Sequence, residues 1–191
     1  NTDAYGIKAS INEHGQKFTK AKVVILGAGG VSRAIVTQAI LDGAAEIFII
    51  NRTVSKAEKM AASILDNCRN LNEKERLHPI PQCHITGYDK IGNALFGADI
   101  LINATSVGLK ETDQMLFDSK LIDSSTFVYD TIYNPHQTRF LIEAKHRGCR
   151  KTSNGLSMLL YQGAKAFELW FDRTAPIELM RQQLMHPRAF S

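Results

Sequence analysis

The sequence predicts an α/β fold, a doubly wound parallel sheet with helices on both faces, and three features carry the prediction. Short apolar runs alternate with segments of helical periodicity along nearly the whole chain. One run, Val23-Val24-Ile25-Leu26, breaks into Gly27-Ala28-Gly29-Gly30-Val31-Ser32 and then into a helix-forming segment. Unusual polar residues fall just past the strand ends, where open α/β sheets hold their ligands.

The elements follow in order. Residues 5–20 carry a helix-like pattern with Ile7 and Ile11, broken at Gly15. The first strand, Val23 to Leu26, leads to a helix from about Val31 to Leu41, ended by Asp42-Gly43. Ile47 to Ile50 is the second strand, and Ser55 to Asn70 sets Ala, Met, Ile and Leu among charges at helical spacing. Asn70 to Pro81, polar and with two prolines, is expected to be a surface loop. Cys83 to Thr86 predicts a short strand, Ile91 to Phe96 a short helix, and Asp99 to Asn103 the fourth strand. Phe127 to Thr131 is the fifth strand, Gln137 to Arg147 a helix closed by Gly148, and Lys151 to Ser153 a short sixth strand. A long apolar helix, Ser157 to Phe171, precedes Pro176 and a final helical segment to about Met185. With 191 residues, 44% of them hydrophobic, the chain is large enough for one Rossmann-like unit with its own core.

Composition narrows the function. A net charge of +4, from 23 basic and 19 acidic residues, is too mild and dispersed for a nucleic-acid surface. Three widely spaced cysteines (Cys68, Cys83, Cys149) without a CxxC pair read as reduced thiols of a cytoplasmic protein, not a disulfide frame or zinc site. The six histidines are scattered, so no metal is expected, and no apolar run is long enough to span a membrane.

The first βαβ unit points to a dinucleotide. Gly27 lets the chain turn sharply out of the strand, and Gly29 lets backbone amides approach a pyrophosphate. The helix opening near Gly30 adds its free N–H groups and positive dipole end. Ser32 stands where the usual fingerprint has a third glycine and is small enough for helix–strand packing. At the tip of the second strand, an NAD site usually carries Asp or Glu for the ribose 2′-OH. Here Asn51-Arg52-Thr53 occupies that tip, with Lys56 one helical turn on. A guanidinium binds a 2′-phosphate through two parallel hydrogen bonds, so NADP(H) is the expected cofactor and NAD(H) the alternative. The plainer explanation is that Arg52 and Lys56 merely solvate a helix start.

Three further clusters lie past strand ends: Asn103-Ala104-Thr105-Ser106-Val107-Gly108, Asp130-Thr131-Ile132-Tyr133-Asn134-Pro135, and Asn154-Gly155 leading to Gln162-Gly163. Singly, they could be helix caps, a turn and a solvated helix residue. Taken in order with Asn1-Thr2-Asp3, the glycine loop and Asn51-Arg52-Thr53, they give a chain that resembles the C-terminal, cofactor-binding domain of the shikimate dehydrogenase family.

That resemblance covers nearly the whole chain. It implies reduction of 3-dehydroshikimate to shikimate with NADPH, in aromatic amino-acid biosynthesis; the quinate/shikimate branch also accepts quinate and NAD(H). By the resemblance, Asp3 matches the catalytic aspartate that pairs with a lysine to handle the proton of the substrate hydroxyl. Tyr133 and Gln162 match substrate contacts, and Asn51, Arg52, Thr53 and Lys56 match the 2′-phosphate clamp. Asn103, Thr105 and Ser106 match the stretch beside the nicotinamide ribose, and Gly155 a backbone position near the nicotinamide.

Two positions depart from the family pattern: Ala4 replaces the glycine of Asn-Thr-Asp-Gly, and Ser157 stands where many members have glycine. In the family the catalytic lysine and most substrate contacts lie in an N-terminal domain ahead of Asn-Thr-Asp, and no lysine here has a matching context. Residues 1–191 are therefore expected to form the NAD(P)-binding domain alone, without the substrate domain, binding cofactor but not turning over shikimate. Two other readings compete: a nucleotide-binding sensor module, and another dinucleotide-fold dehydrogenase of the methylene-tetrahydrofolate or glutamyl-tRNA reductase type. A sensor has no need of Asp3 and Gln162. The other dehydrogenases should lack Asp3, Tyr133-Asn134-Pro135 and Gln162 in combination.

Overall fold

A strand whose every residue is apolar has to be covered on both faces, and Val23 to Leu26 and Ile100 to Ile102 are of that kind. The computed structural model of the chain describes residues 1–71 and 78–185. Six strands, β1 (Lys22–Leu26), β2 (Glu46–Ile50), β3 (Gln82–Thr86), β4 (Ile100–Asn103), β5 (Phe127–Asp130) and β6 (Thr152–Ser153), form one parallel sheet in the order β3-β2-β1-β4-β5-β6. The helices are α1 (Thr2–Glu13), α2 (Gly30–Leu41), α3 (Val54–Arg69), α4 (Ile91–Leu95), α5 (Arg139–His146), α6 (Leu156–Phe171) and α7 (Ile177–Met185).

Alternate residues of each strand serve opposite faces. Val23, Ile25, Ile47, Ile49 and Ile102 pack with Ile7 and Ile11 of α1, Ile35 and Ala39 of α2, Met60 and Ile64 of α3, and Met158 of α6. Val24, Leu26, Leu101 and Val128 face the other way, against Leu95 of α4 and Phe140 and Leu141 of α5. Burying each of these large aliphatic or aromatic side chains is worth roughly 1.5–3 kcal/mol, so the two layers hold the sheet flat against its helices.

The predicted elements are present, with boundaries shifted by a residue or two. The exception is the first helix, expected from residue 5, which begins at Thr2. Asn1 caps it, its side-chain oxygen accepting the Asp3 amide at 2.8 Å. The Asn-Thr-Asp stretch is thus a helix cap and first turn. Short 3-10 turns at Tyr88–Lys90 and Ser119–Leu121 were not legible beforehand. Residues 72–77 of the expected Asn70 to Pro81 loop lie outside the described residues.

The pair α1 and α6 crosses on one side of the sheet, and Gly6 is the crossing point. A Cβ there would lie 2.8 Å from the Met158 carbonyl oxygen and 2.9 Å from Gln162 Cβ. Alanine would gain about 1 kcal/mol of helix propensity, against about 1–3 kcal/mol for forcing packed backbones apart. Gly6→Ala is therefore expected to destabilise the protein by about 1 kcal/mol. Urea unfolding would read this as a lower midpoint at unchanged slope.

Candidate functional site

The strand order reverses between β1 and β4, and the tips of those two strands nearly touch. Gly27 leaves β1 at φ +108°, and a Cβ there would sit 2.8 Å from the Ala104 carbonyl oxygen just past β4. Both its backbone angle and its neighbour therefore require glycine. Its N–H donates to the Ile50 carbonyl at 2.7 Å, tying the loop to the β2 tip as well. Gly29 precedes α2, and neither Gly29 nor Gly30 has another atom within 4 Å of where a Cβ would stand. The first-turn amides of α2 have no partner inside the helix and open onto that space. Ser32 does more than fit: fully buried, its Oγ accepts the Gly29 amide at 3.3 Å and fixes the loop's exit. Val31 leans into the core, so its contribution to a ligand is confined to its backbone.

At the β2 tip, Asn51 donates its backbone N–H to Thr86 at 3.1 Å and its side-chain N–H to the Thr53 carbonyl at 2.8 Å. Asn51 thus shapes the tip, and Thr53 starts α3 without a side-chain cap bond. Arg52 and Lys56 are exposed, and among the described residues neither has an ion-pair partner.

The β4 tip is knit by one buried asparagine. Asn103 Oδ1 accepts the Thr105 amide at 3.1 Å and its hydroxyl at 2.7 Å, while Nδ2 donates to the Val107 carbonyl at 3.0 Å and to Asp130 Oδ1 at 3.1 Å. Asp130, also fully buried, takes the Thr138 hydroxyl at 2.6 Å and the Ile132 amide at 3.1 Å. Burial pushes the Asp130 carboxyl above its ordinary value, with the Thr138, Ile132 and Asn103 bonds pulling the other way. The Asn103 side chain is thus buried and wholly engaged, and it holds Thr105 in place.

These tips enclose a cleft of about 650 Å³. The glycine loop forms one side of it, Asn51, Arg52 and Lys56 another, and Ala104 to Val107 a third. The rest of the lining comes from residues the sequence reading missed: Tyr88, Met115 and Leu116. A neighbouring recess of about 380 Å³ shares Ala28, Gly29 and Lys56 and adds Gly30, Arg33 and Lys59. Only the position of Tyr88, two residues past the third strand, could have signalled that part of the cleft lining.

The remaining predicted residues fall elsewhere. The α1–α6 crossing brings Thr2, the neighbour of Asp3 in sequence, to Gln162: the Thr2 hydroxyl donates to Gln162 Oε1 at 3.4 Å. Asp3 is half-buried and, among the described residues, unpaired. Ala4 lies in helical backbone, so no glycine is needed there. Gly155 holds the start of α6 against the end of β5; its N–H donates to Ile132 at 3.0 Å, and a Cβ would strike the Thr131 carbonyl. Tyr133 is 46% exposed and makes no hydrogen bond to Asp3 or Gln162. Ser157, which stands where many members of the family have glycine, hydrogen-bonds Ser10, whose hydroxyl also meets that of Tyr129 at 2.9 Å. Among the described residues, no three His, Cys, Asp or Glu side chains cluster as metal ligands, and no helix is long and apolar enough to cross a membrane.

A parallel sheet with this strand order and a glycine loop at its reversal point defines a dinucleotide-fold domain. Residues 9–125 match the family described as Shikimate / quinate 5-dehydrogenase, and residues 155–185 match the Shikimate 5'-dehydrogenase C-terminal domain. The chain belongs to the shikimate / quinate 5-dehydrogenase family. A shikimate dehydrogenase (NADP(+)) of Alkaliphilus oremlandii is 38% identical over 190 residues, covering 96% of this chain and 62% of that protein. The shikimate 5-dehydrogenase of Listeria monocytogenes, solved with shikimate and NAD, aligns with a TM-score of 0.83 at 32% identity, covering 96% of this chain and 62% of that one. A shikimate dehydrogenase solved with NADP+ aligns at 0.80 and 36% identity, covering 97% of this chain and 61% of that one. The chain thus spans about 62% of the length of its relatives.

The buried Asp130 carboxyl gives a pH signature. Its folded pKa lies above the ordinary value of 3.8, so its contribution to stability is complete below that value and is lost as pH rises through the raised one. Asparagine does not titrate. Asp130→Asn is expected to gain stability relative to the parent as pH rises above the ordinary carboxyl value of 3.8, which paired thermal melts at successive pH values would detect.

Proposed function

We propose that this chain is the cofactor-binding part of an NADP(H)-dependent shikimate dehydrogenase, with its cofactor in the cleft between the β1 and β4 tips. The observation that carries the reading is the meeting of Arg52 and Lys56 with the glycine loop in one cleft, with no carboxylate at the β2 tip. The space above Gly29 and Gly30, which a Cβ would enter, suits a pyrophosphate.

The chemistry that NADP(H) would supply when bound is hydride transfer at the carbon bearing the substrate oxygen. The residues of this chain prepare that transfer. The α2 amides and dipole offset the pyrophosphate charge. Arg52 and Lys56 bind the 2′-phosphate; Thr105 and Ser106, held by Asn103 and Asp130, flank the cofactor. Asp3 and Gln162 serve the substrate: the amide orients ring hydroxyls, and the carboxylate accepts a hydrogen bond from the reacting hydroxyl or its proton carrier. Tyr133 and the Gly155 backbone border that side. No lysine amine pairs with Asp3 among the described residues. We place the lysine in the part of the relatives' length that residues 1–191 do not span.

A second reading, oxidation of quinate or shikimate with NAD(H), draws on the NAD-bound Listeria neighbour. Calorimetry separates the two. NADP+ is expected to bind more tightly than NAD+, and Arg52→Ala should weaken NADP+ by about tenfold or more, the worth of a charge-assisted hydrogen bond, while sparing NAD+. Equal binding of both, indifferent to the substitution, selects the NAD(H) reading. Shikimate-dependent reduction of NADP+ by this chain alone is expected at background level; clear turnover would place the full proton relay within residues 1–191.

A further inference from the structure

We propose that Tyr88 is a third member of the 2′-phosphate clamp, its hydroxyl donating a hydrogen bond to the phosphate that Arg52 and Lys56 neutralise. The inference rests on the NADP(H) reading and adds a residue that no motif of the chain marks.

Tyr88 opens the 3-10 turn just past β3, and β3 is stitched to β2 at their tips by the 3.1 Å bond from the Asn51 N–H to the Thr86 carbonyl. A residue 36 positions beyond Arg52 in sequence is thereby carried into the lining of the same cleft. The Tyr88 ring packs on the apolar layer beneath α4 and α5, which fixes the direction of the side chain. Its hydroxyl has no hydrogen-bond partner among the described residues, although the side chain is half-buried. That hydroxyl is not sealed from water: it stands open to the cleft, free to bond a ligand. Burial pushes the phenol up to about 12, and the nearby Arg52 guanidinium is the one charge pulling it back. At neutral pH the phenol is therefore a donor, close enough to feel Arg52. A phosphate held by that guanidinium comes within reach of an unspent O–H.

Tyr88→Phe keeps the ring and removes only the hydroxyl. Calorimetry on the chain with NADP+, NAD+, 2′,5′-ADP and 5′-AMP tests the proposal. The two ligands carrying a 2′-phosphate are expected to weaken by about tenfold, the lower range for a hydrogen bond to a charged group, with the other two unchanged. In a double-mutant cycle, the losses from Tyr88→Phe and Arg52→Ala should be non-additive, since both act on one phosphate. Unchanged NADP+ affinity overturns the proposal, as does an equal loss for NADP+ and NAD+, the mark of a packing role. If Arg52→Ala abolishes the preference for NADP+ while Tyr88→Phe preserves it, the clamp stands without Tyr88. If the parent chain shows no preference for NADP+, the cofactor reading and the role of Tyr88 fall together.

Discussion

The approach of Gly27 to the Ala104 carbonyl is the contact on which the site depends. Two parallel strands that neighbour each other but lead to opposite sides of the sheet leave a crevice between their exits. The crevice can narrow to a binding cleft only if one exit turns within a single residue, at an angle that side chains disfavour and with no side chain of its own. The glycine loop, the start of α2 and the Thr105 loop all inherit their positions from that turn. Widening it would move the amides away from the wall they face.

A second constraint lies beneath the first. Asn103 and Asp130 end neighbouring strands in register, and both are fully buried. Burying a carboxylate and an amide is unfavourable unless every lone pair and proton finds a partner. Here the partners are the backbone and hydroxyls of the loops themselves: Thr105, Val107, Ile132 and Thr138. The polar core is thus a mould for loops that present their outer surface to the cleft. Loops without internal secondary structure gain a defined shape from buried groups beneath them.

The sequence carried the fold well because its signals are local. Apolar runs, helical periods and the Asp42-Gly43 and Gly148 stops each lie within a few residues, and the glycine loop names its own neighbours. Much of the lining of the cleft and of the recess beside it was legible for the same reason: Gly27 to Gly30, Arg52, Lys56 and Thr105 stand at or near strand ends. What could not be read depends on separation in space. Gly6 looks like an ordinary helix residue until α6 is laid across it, and Tyr88 like an ordinary aromatic until β3 is set beside β2. Asn103 reads in the sequence only as one residue of the stretch past β4; its bonded burial involves Asp130, which sits 27 residues away. Ser157 likewise gained its meaning only from Ser10 and Tyr129.

The crossing of α1 and α6 joins segments about 160 residues apart, as the Thr2–Gln162 bond records. Contacts of such separation form late, because the entropy of closing the loop is met before the contact returns anything. On a ribosome, Asp3 leaves the exit tunnel long before Gln162 has been made. The helix carrying it must wait, its Ile7 and Ile11 without their final cover, while the sheet assembles around β1. The Asp3 end of α1 thus waits for a partner made some 160 residues later, and a chain stopped short of α6 would carry the cleft between the β1 and β4 tips with no helix to anchor Asp3.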